Sequence, residues 1–326
     1  MRRLSTFVCM ALFGAAVLWI GVVRAQAPAQ PQGAQAAPGR GQAGGVPGAA
    51  AQPGRGTPGR GPSLTAKKHL LVIGLTLGYH HGSTSDGMGM FWDLGRESGI
   101  FDVEMRTDVK WVTNKVPGEG QTHPLTYFDA IAFVNCTSVT REKGGWNMDA
   151  EQKQALLSFV HDDGKGLVVV HASIDANYDW PEYAEMVGGW FGGHPWGTFN
   201  APVIVEDQNF PAMRHFPKNL HLVDEMYSPR EWSRDKVNVL MRLDESKLDY
   251  TSPQAGTKAG APVGRPDKDQ AIAWSKMYGK GRVFYSSLGH TNEAFADQDV
   301  RKMYLESVKW VLGKTEGSVT SHPKVN

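Results

Sequence analysis

Apolar residues fall into short unbroken runs, separated by stretches with helical spacing. Residues 69–75, 128–135 and 167–170 are apolar almost throughout. Runs of that length, bounded by glycine or polar residues, read as strands buried on both faces. Residues 101–106 form a further strand. Between them Met88, Phe91 and Leu94 recur at helical spacing in a segment that Ser85 or Asp86 can cap and Gly99 stops. Ala155, Leu156, Phe159 and Val160 recur in another, capped by Asn147 or Asp149 and closed by Gly164. This strand–helix–strand, strand–helix–strand order predicts a mostly parallel sheet with right-handed crossovers and helices on both faces. Residues 201–206 and 237–243 read as later strands, and residues 271–277 and 282–287 flank Tyr278-Gly-Lys-Gly281 as a hairpin or as neighbours. Residues 297–311 form the closing helix. Gly188, Gly189, Gly192 and Gly193 alternate with aromatics and predict a close-packed loop lining a pocket, not a helix.

The N-terminus departs from this pattern. Met1-Arg2-Arg3, an apolar run from Phe7 to Val23 and a small-residue site at Ala25 predict a secretory signal peptide over residues 1–25, with an uncleaved membrane anchor as the alternative. Residues 26–66 are Ala, Gln, Gly and Pro with scattered arginines, and Pro-Gly-Arg-Gly recurs at Pro38, Pro53 and Pro58. Such a segment cannot bury enough surface to offset its ordering entropy and reads as a disordered linker. One α/β domain is then predicted over residues 67–315, followed by a polar tail at residues 316–326. Export implies a periplasmic or secreted protein, in which a membrane enters only through an uncleaved leader. The formal net charge of +1 makes no case for nucleic acid. With the leader removed Cys136 is the sole cysteine, so no intramolecular disulfide forms.

Chemistry gathers at strand ends. His171 ends the organising strand, 167–170, and ligands of open α/β sheets bind at carboxyl ends. His80 and His81 follow the first strand, either one being the site residue. His194 falls in the Gly/Trp loop, Glu225 and Tyr227 in an Asp-Glu-Met-Tyr segment, and His290 after the last strand. Imidazole and carboxylate together suit zinc, manganese, iron or nickel, whereas each histidine alone reads as a hydrogen-bonded structural residue. No nucleotide cofactor is indicated. Trp180, Trp190 and Trp196 either pack in the core or offer a flat face to a sugar ring, with Asp175 at the hydroxyl rim.

The motifs GYHHGS, GKGLVVVHAS, DWPEYAEMVGGWFGGHP, DEMY and AWSKMYGKGRVFYSSLGH, in this order, resemble the ThuA (trehalose utilisation) family over residues 67–314. The resemblance implies a three-layer, flavodoxin-like fold of the class I glutamine amidotransferase type. Those amidotransferases carry a cysteine on the turn after the organising strand. Here His171 and Ala172 stand there, so thioester chemistry is excluded. The resemblance further implies a small-molecule carbohydrate partner, an oxidised sugar such as a 3-keto-glycoside. Within that reading His81, His194, Glu225 and His290 form the metal shell, His171 is the base and Tyr227 the acid toward the leaving group. The alternative is a non-catalytic carbohydrate-binding or envelope interaction domain. The sequence leaves an oligomer open.

Overall fold

The computed structural model describes residues 67–115, 123–139, 145–251 and 263–325. The predicted leader and linker, residues 1–66, lie outside the described residues.

Among the described residues nine strands form one sheet. Its first half is parallel: β1 (Lys68–Ile73), β2 (Phe101–Arg106), β3 (Ala130–Val134) and β4 (Gly166–Val170), joined by β11 (Gly281–Ser286), in the order β2-β1-β3-β4-β11. The second half is antiparallel and adds β10 (Ala271–Tyr278), β9 (Asn238–Leu243), β6 (Thr198–Val205) and β7 (Asn219–Glu225), in that order outward from β11. Alternating direction from β11 outward turns β9 and β7 the same way as the parallel strands. Seven of the nine strands therefore run in one direction, and the sheet is mixed but mostly parallel. A separate two-stranded ribbon pairs β5 (Trp190–Gly193) with β8 (Ser228–Arg230).

The period of two along a strand divides each central strand between two cores. Val168 and Val170 of β4 pack with Phe91 and Leu94 of helix α1 (Thr84–Ser98) and with Met303 and Val308 of helix α5 (Gln298–Val311). Leu167 and Val169 pack on the other face, with Leu156 and Phe159 of α2 (Ala150–His161) and Tyr183 and Met186 of α3 (Pro181–Val187). The unbroken apolar runs thus exist because both sheet faces are covered, and the three-layer α/β fold is as the sequence predicts.

Details differ where local signals are weak. Asp149, not Asn147, caps α2, and it shares a capping box with Gln152. Neither Ser85 nor Asp86 caps α1, which begins one residue after Ser83. The glycine-rich segment is not all loop. Met186 and Val187 end α3, Gly188 closes that helix at φ +100, and the aromatics beyond it form β5. The paired aromatic strand was hidden because its partner β8 lies far along the chain. Strand β7, unassigned in the sequence, is an edge strand whose Val223 faces solvent, so its apolar run looks broken. The tail crosses β9: His322 Nε2 lies 3.0 Å from Val239 O, and the Arg242 guanidinium donates to Val325 O at 3.0 Å. Among the described residues no helix is long and apolar enough to cross a membrane.

Candidate functional site

Four strands running the same way end at one edge of the sheet, and each delivers a polar residue there. His81 lies in the loop after β1, His171 ends β4, Glu225 ends β7 and His290 follows β11. One candidate ligand atom from each of the four lies within 4.8 Å of those of the other three. Strand β7 sits at the far margin of the sheet, yet it reaches this point for a geometric reason. β6 pairs with β9 only at Val203–Val205, whereas it pairs with β7 from Thr198 to Ile204. The distal end of the β6–β7 ribbon is released from the sheet and carries Glu225 onto the carboxyl edge.

Each residue is held by a distinct device. His171 adopts φ +45, left-handed backbone rarely used by a residue with a Cβ, as the chain turns sharply out of β4 into the short helical turn His171–Ile174. Its Nδ1 lies 2.6 Å from Ser287 O. A carbonyl only accepts, so Nδ1 carries the proton and Nε2 presents its lone pair, 3.8 Å from Glu225 Oε2. His290 is fixed through its backbone. The buried Asp224 carboxylate accepts from the amides of Gly289, His290 and Thr291, at 2.6, 3.3 and 3.1 Å. Gly289 stands at φ +133, where a Cβ would meet the Phe295 ring at 2.6 Å. The Ser83 hydroxyl and the Asn135 amide both donate to Gly289 O, and Asn135 also donates to Ser83, which ties the His81 loop to the His290 loop.

Burial sets the protonation states. His81 is pushed down to about 4, chiefly by burial and next by neighbouring His290. Burial also drives His171 well below the ordinary range, helped by His81 and His290. Both are therefore neutral imidazoles at neutral pH, the form that donates a lone pair to a metal. His290 moves up because Glu225 Oε2 faces its Nδ1 at 3.1 Å. The buried Nε2 of His171 and Nδ1 of His81 meet no hydrogen-bond partner among the described residues. Buried nitrogens are normally paired, so two orphans on members of one group of three imidazoles and a carboxylate fit a divalent transition metal.

The structure regroups the predicted residues. His171, expected to be the base, belongs to the four-residue group. His194, expected in the metal shell, is 46% exposed at the rim, with Nδ1 3.2 Å from Glu225 Oε1. His81 rather than His80 turns inward. Tyr227 is buried against the site, its ring centroid 4.2 Å from that of His171 and its hydroxyl 3.4 Å from His81 Nε2. Burial raises this phenol well above its ordinary range, which makes it a hydrogen-bond partner of His81 and a poor acid.

The three tryptophans are packing residues, since each is buried. Trp180 stacks on Tyr183 beneath Lys153, Trp190 lies beside Tyr178 and Arg230, and Trp196 donates to Asp249 O at 2.8 Å. Asp175 accepts the Tyr178 hydroxyl. None of them supplies an open sugar platform. Cys136 is buried, accepts the Leu75 amide and donates to Ile73 O, and burial pushes its thiol up to about 12. It is a packing residue without thiolate character. Sequence reasoning missed Asp224, Asn135, Ser83 and Ser287, whose work is to hold backbone. The one available signal was their place beside the strand-end histidines and the Asp-Glu segment.

Comparison with known proteins agrees with this architecture. Residues 69–311 match the family described as ThuA, trehalose utilisation. Among solved structures, a ThuA-like protein from Bacteroides uniformis ATCC 8492 superposes with TM-score 0.56 at 22% identity, covering 77% of this chain and 94% of its own. A second, from Parabacteroides merdae ATCC 43184, gives TM-score 0.55 at 18% identity, covering 78% and 93%. These two likenesses concern the fold. No curated protein matches the chain.

Proposed function

Because the chain belongs to the ThuA (trehalose utilisation) family, we propose that it is an exported, metal-assisted enzyme that opens the glycosidic bond of a 3-keto-glycoside or a related oxidised sugar. The observation that carries this reading is the convergence of His81, His171, Glu225 and His290 at the carboxyl edge. A divalent metal held by these four would polarise the sugar carbonyl as a Lewis acid.

A ketone at C3 makes the C2 proton acidic. His194 is the residue placed to remove it. Its imidazole is exposed whereas those of His81 and His171 are buried, and with Nδ1 turned to Glu225 its Nε2 is the nitrogen left to meet a substrate proton. Glu225 orients that ring and stabilises the imidazolium that forms. The electron pair left at C2 moves toward C3, and the C1–O bond then breaks to give an unsaturated ketone. The proton on His194 returns to the departing oxygen, releasing an alcohol. His171 cannot take the base role, since its one available nitrogen points into the four-residue group. The leader read in the sequence would put this chemistry outside the cytoplasm.

The test uses untagged protein. Metal analysis should give close to one divalent ion per chain, and a chromogenic 3-keto-glycoside should be consumed only by the loaded protein. Tight saccharide binding with no turnover by the loaded protein would instead favour a carbohydrate-binding module.

A further inference from the structure

We infer that Tyr79 is the platform on which a pyranose ring of the substrate stacks, an inference that rests on the sugar-processing reading above. Tyr79 is 66% exposed, the most exposed of the large apolar side chains among the described residues. It is not on a loose segment. The Gly78 amide donates to Thr137 Oγ1 at 3.2 Å, and that hydroxyl donates to Tyr79 O at 3.1 Å. The Leu77 amide donates to Thr137 O at 3.2 Å. Gly78 approaches so closely that a Cβ there would lie 2.0 Å from Ser138 O, so only glycine fits. The chain therefore fixes the backbone on either side of a ring that it leaves in water.

The position of that ring gives it a use. Its centroid lies 4.8 Å from that of His81, the planes crossing at 73°, and His81 stands 5.0 Å from His171 and 5.2 Å from His290. Tyr79 is thus one ring removed from the four-residue group. The other rings near the group, Phe191 and Tyr227, are buried and cannot offer a face. A pyranose has an apolar C–H face and a rim of hydroxyls, which suits an exposed aromatic beside imidazoles and a carboxylate. One sugar unit would meet Glu225 and His194 while the next lies on Tyr79. A platform ordered before binding keeps the entropic cost of association low.

The experiment measures calorimetric binding of trehalose, cellobiose and methyl α-glucoside to the full, metal-loaded chain. Tyr79→Phe should hold the parent affinity within about twofold, and Tyr79→Ala should weaken it about tenfold, the scale of one aromatic stacking contact. Trp92→Ala, which removes an aromatic 46% exposed on α1, should change nothing. Circular dichroism should show all three variants folded. With a keto-glycoside, Tyr79→Ala should raise KM and leave kcat within about twofold. Parent-like binding by folded Tyr79→Ala, or no saccharide binding by the parent, overturns the inference. The catalytic reading fails separately, when a protein that binds trehalose through Tyr79 does not consume the keto-glycoside.

Discussion

His171 and His194 illustrate how two residues of one chemical type are separated by their surroundings. His171 is wholly buried, its tautomer set by a carbonyl and its free nitrogen pointed at Glu225. His194 shares the same carboxylate but faces water. Their substitutions should therefore part company. His171→Ala should lower both metal occupancy and turnover, because a donor is lost from the group. His194→Ala should keep the metal and lower kcat by about 100-fold or more, the usual contribution of a positioned base. Metal analysis beside kcat on each variant checks this, and equal metal loss in both would contradict the division of roles.

At the scale of elements, the site depends on keeping a strand end and two loops in register. Segment 289–291 is clamped from both sides, its amides by Asp224 on β7 and its carbonyl at Gly289 by Ser83 and Asn135. Replacing Asp224 leaves three amides without their acceptor and loosens the ribbon that carries Glu225. Asp224→Ala should weaken metal affinity by about 10- to 100-fold, the range for lost outer-sphere support, although it touches none of the metal-facing atoms. Competition against a chelating dye would measure it. Unchanged affinity would mean that Gly289 and its backbone alone hold His290.

At the scale of the whole molecule, the fold carries a buried cation that has no part in the site. Lys276 of β10 is lowered to about 8 from 10.5, chiefly by burial, and its ammonium reaches the carbonyl of Glu185 at the end of α3. The folded chain holds this proton less tightly than the unfolded chain. Between pH 8 and 10.5 unfolding takes up a proton, so stability rises with pH across that window, and below 8 the full cost of burying the charge is present. At 1.36 kcal/mol per unit that cost approaches about 3 kcal/mol. Lys276→Met should accordingly be more stable than the parent at pH 7, with the advantage shrinking as pH approaches 10.5. Denaturant melts of both proteins at several pH values test the sign. A constant difference would assign the effect to packing instead.

What the sequence determined by itself is the part governed by local periodicity. The apolar runs that precede His81, His171 and His290, and the helical repeats of α1, α2 and α5, follow from which positions lose water, and that pattern is written along the chain. From it came the parallel half-sheet and the edge on which the chemistry stands. Tertiary structure decided the rest. Strand β7 is an edge strand whose apolar run is broken by a solvent-facing Val223, the β5–β8 ribbon joins segments distant in sequence, and Glu225 reaches the histidines only because the β6–β7 ribbon leaves the sheet. The entry of His171 into the four-residue group, the exposure of His194 at its rim, and the burial of Trp180, Trp190 and Trp196 likewise depend on packing in three dimensions. Periodicity reports whether a side chain is buried, whereas a ligand set depends on where several side chains meet, and that is fixed only when the elements pack.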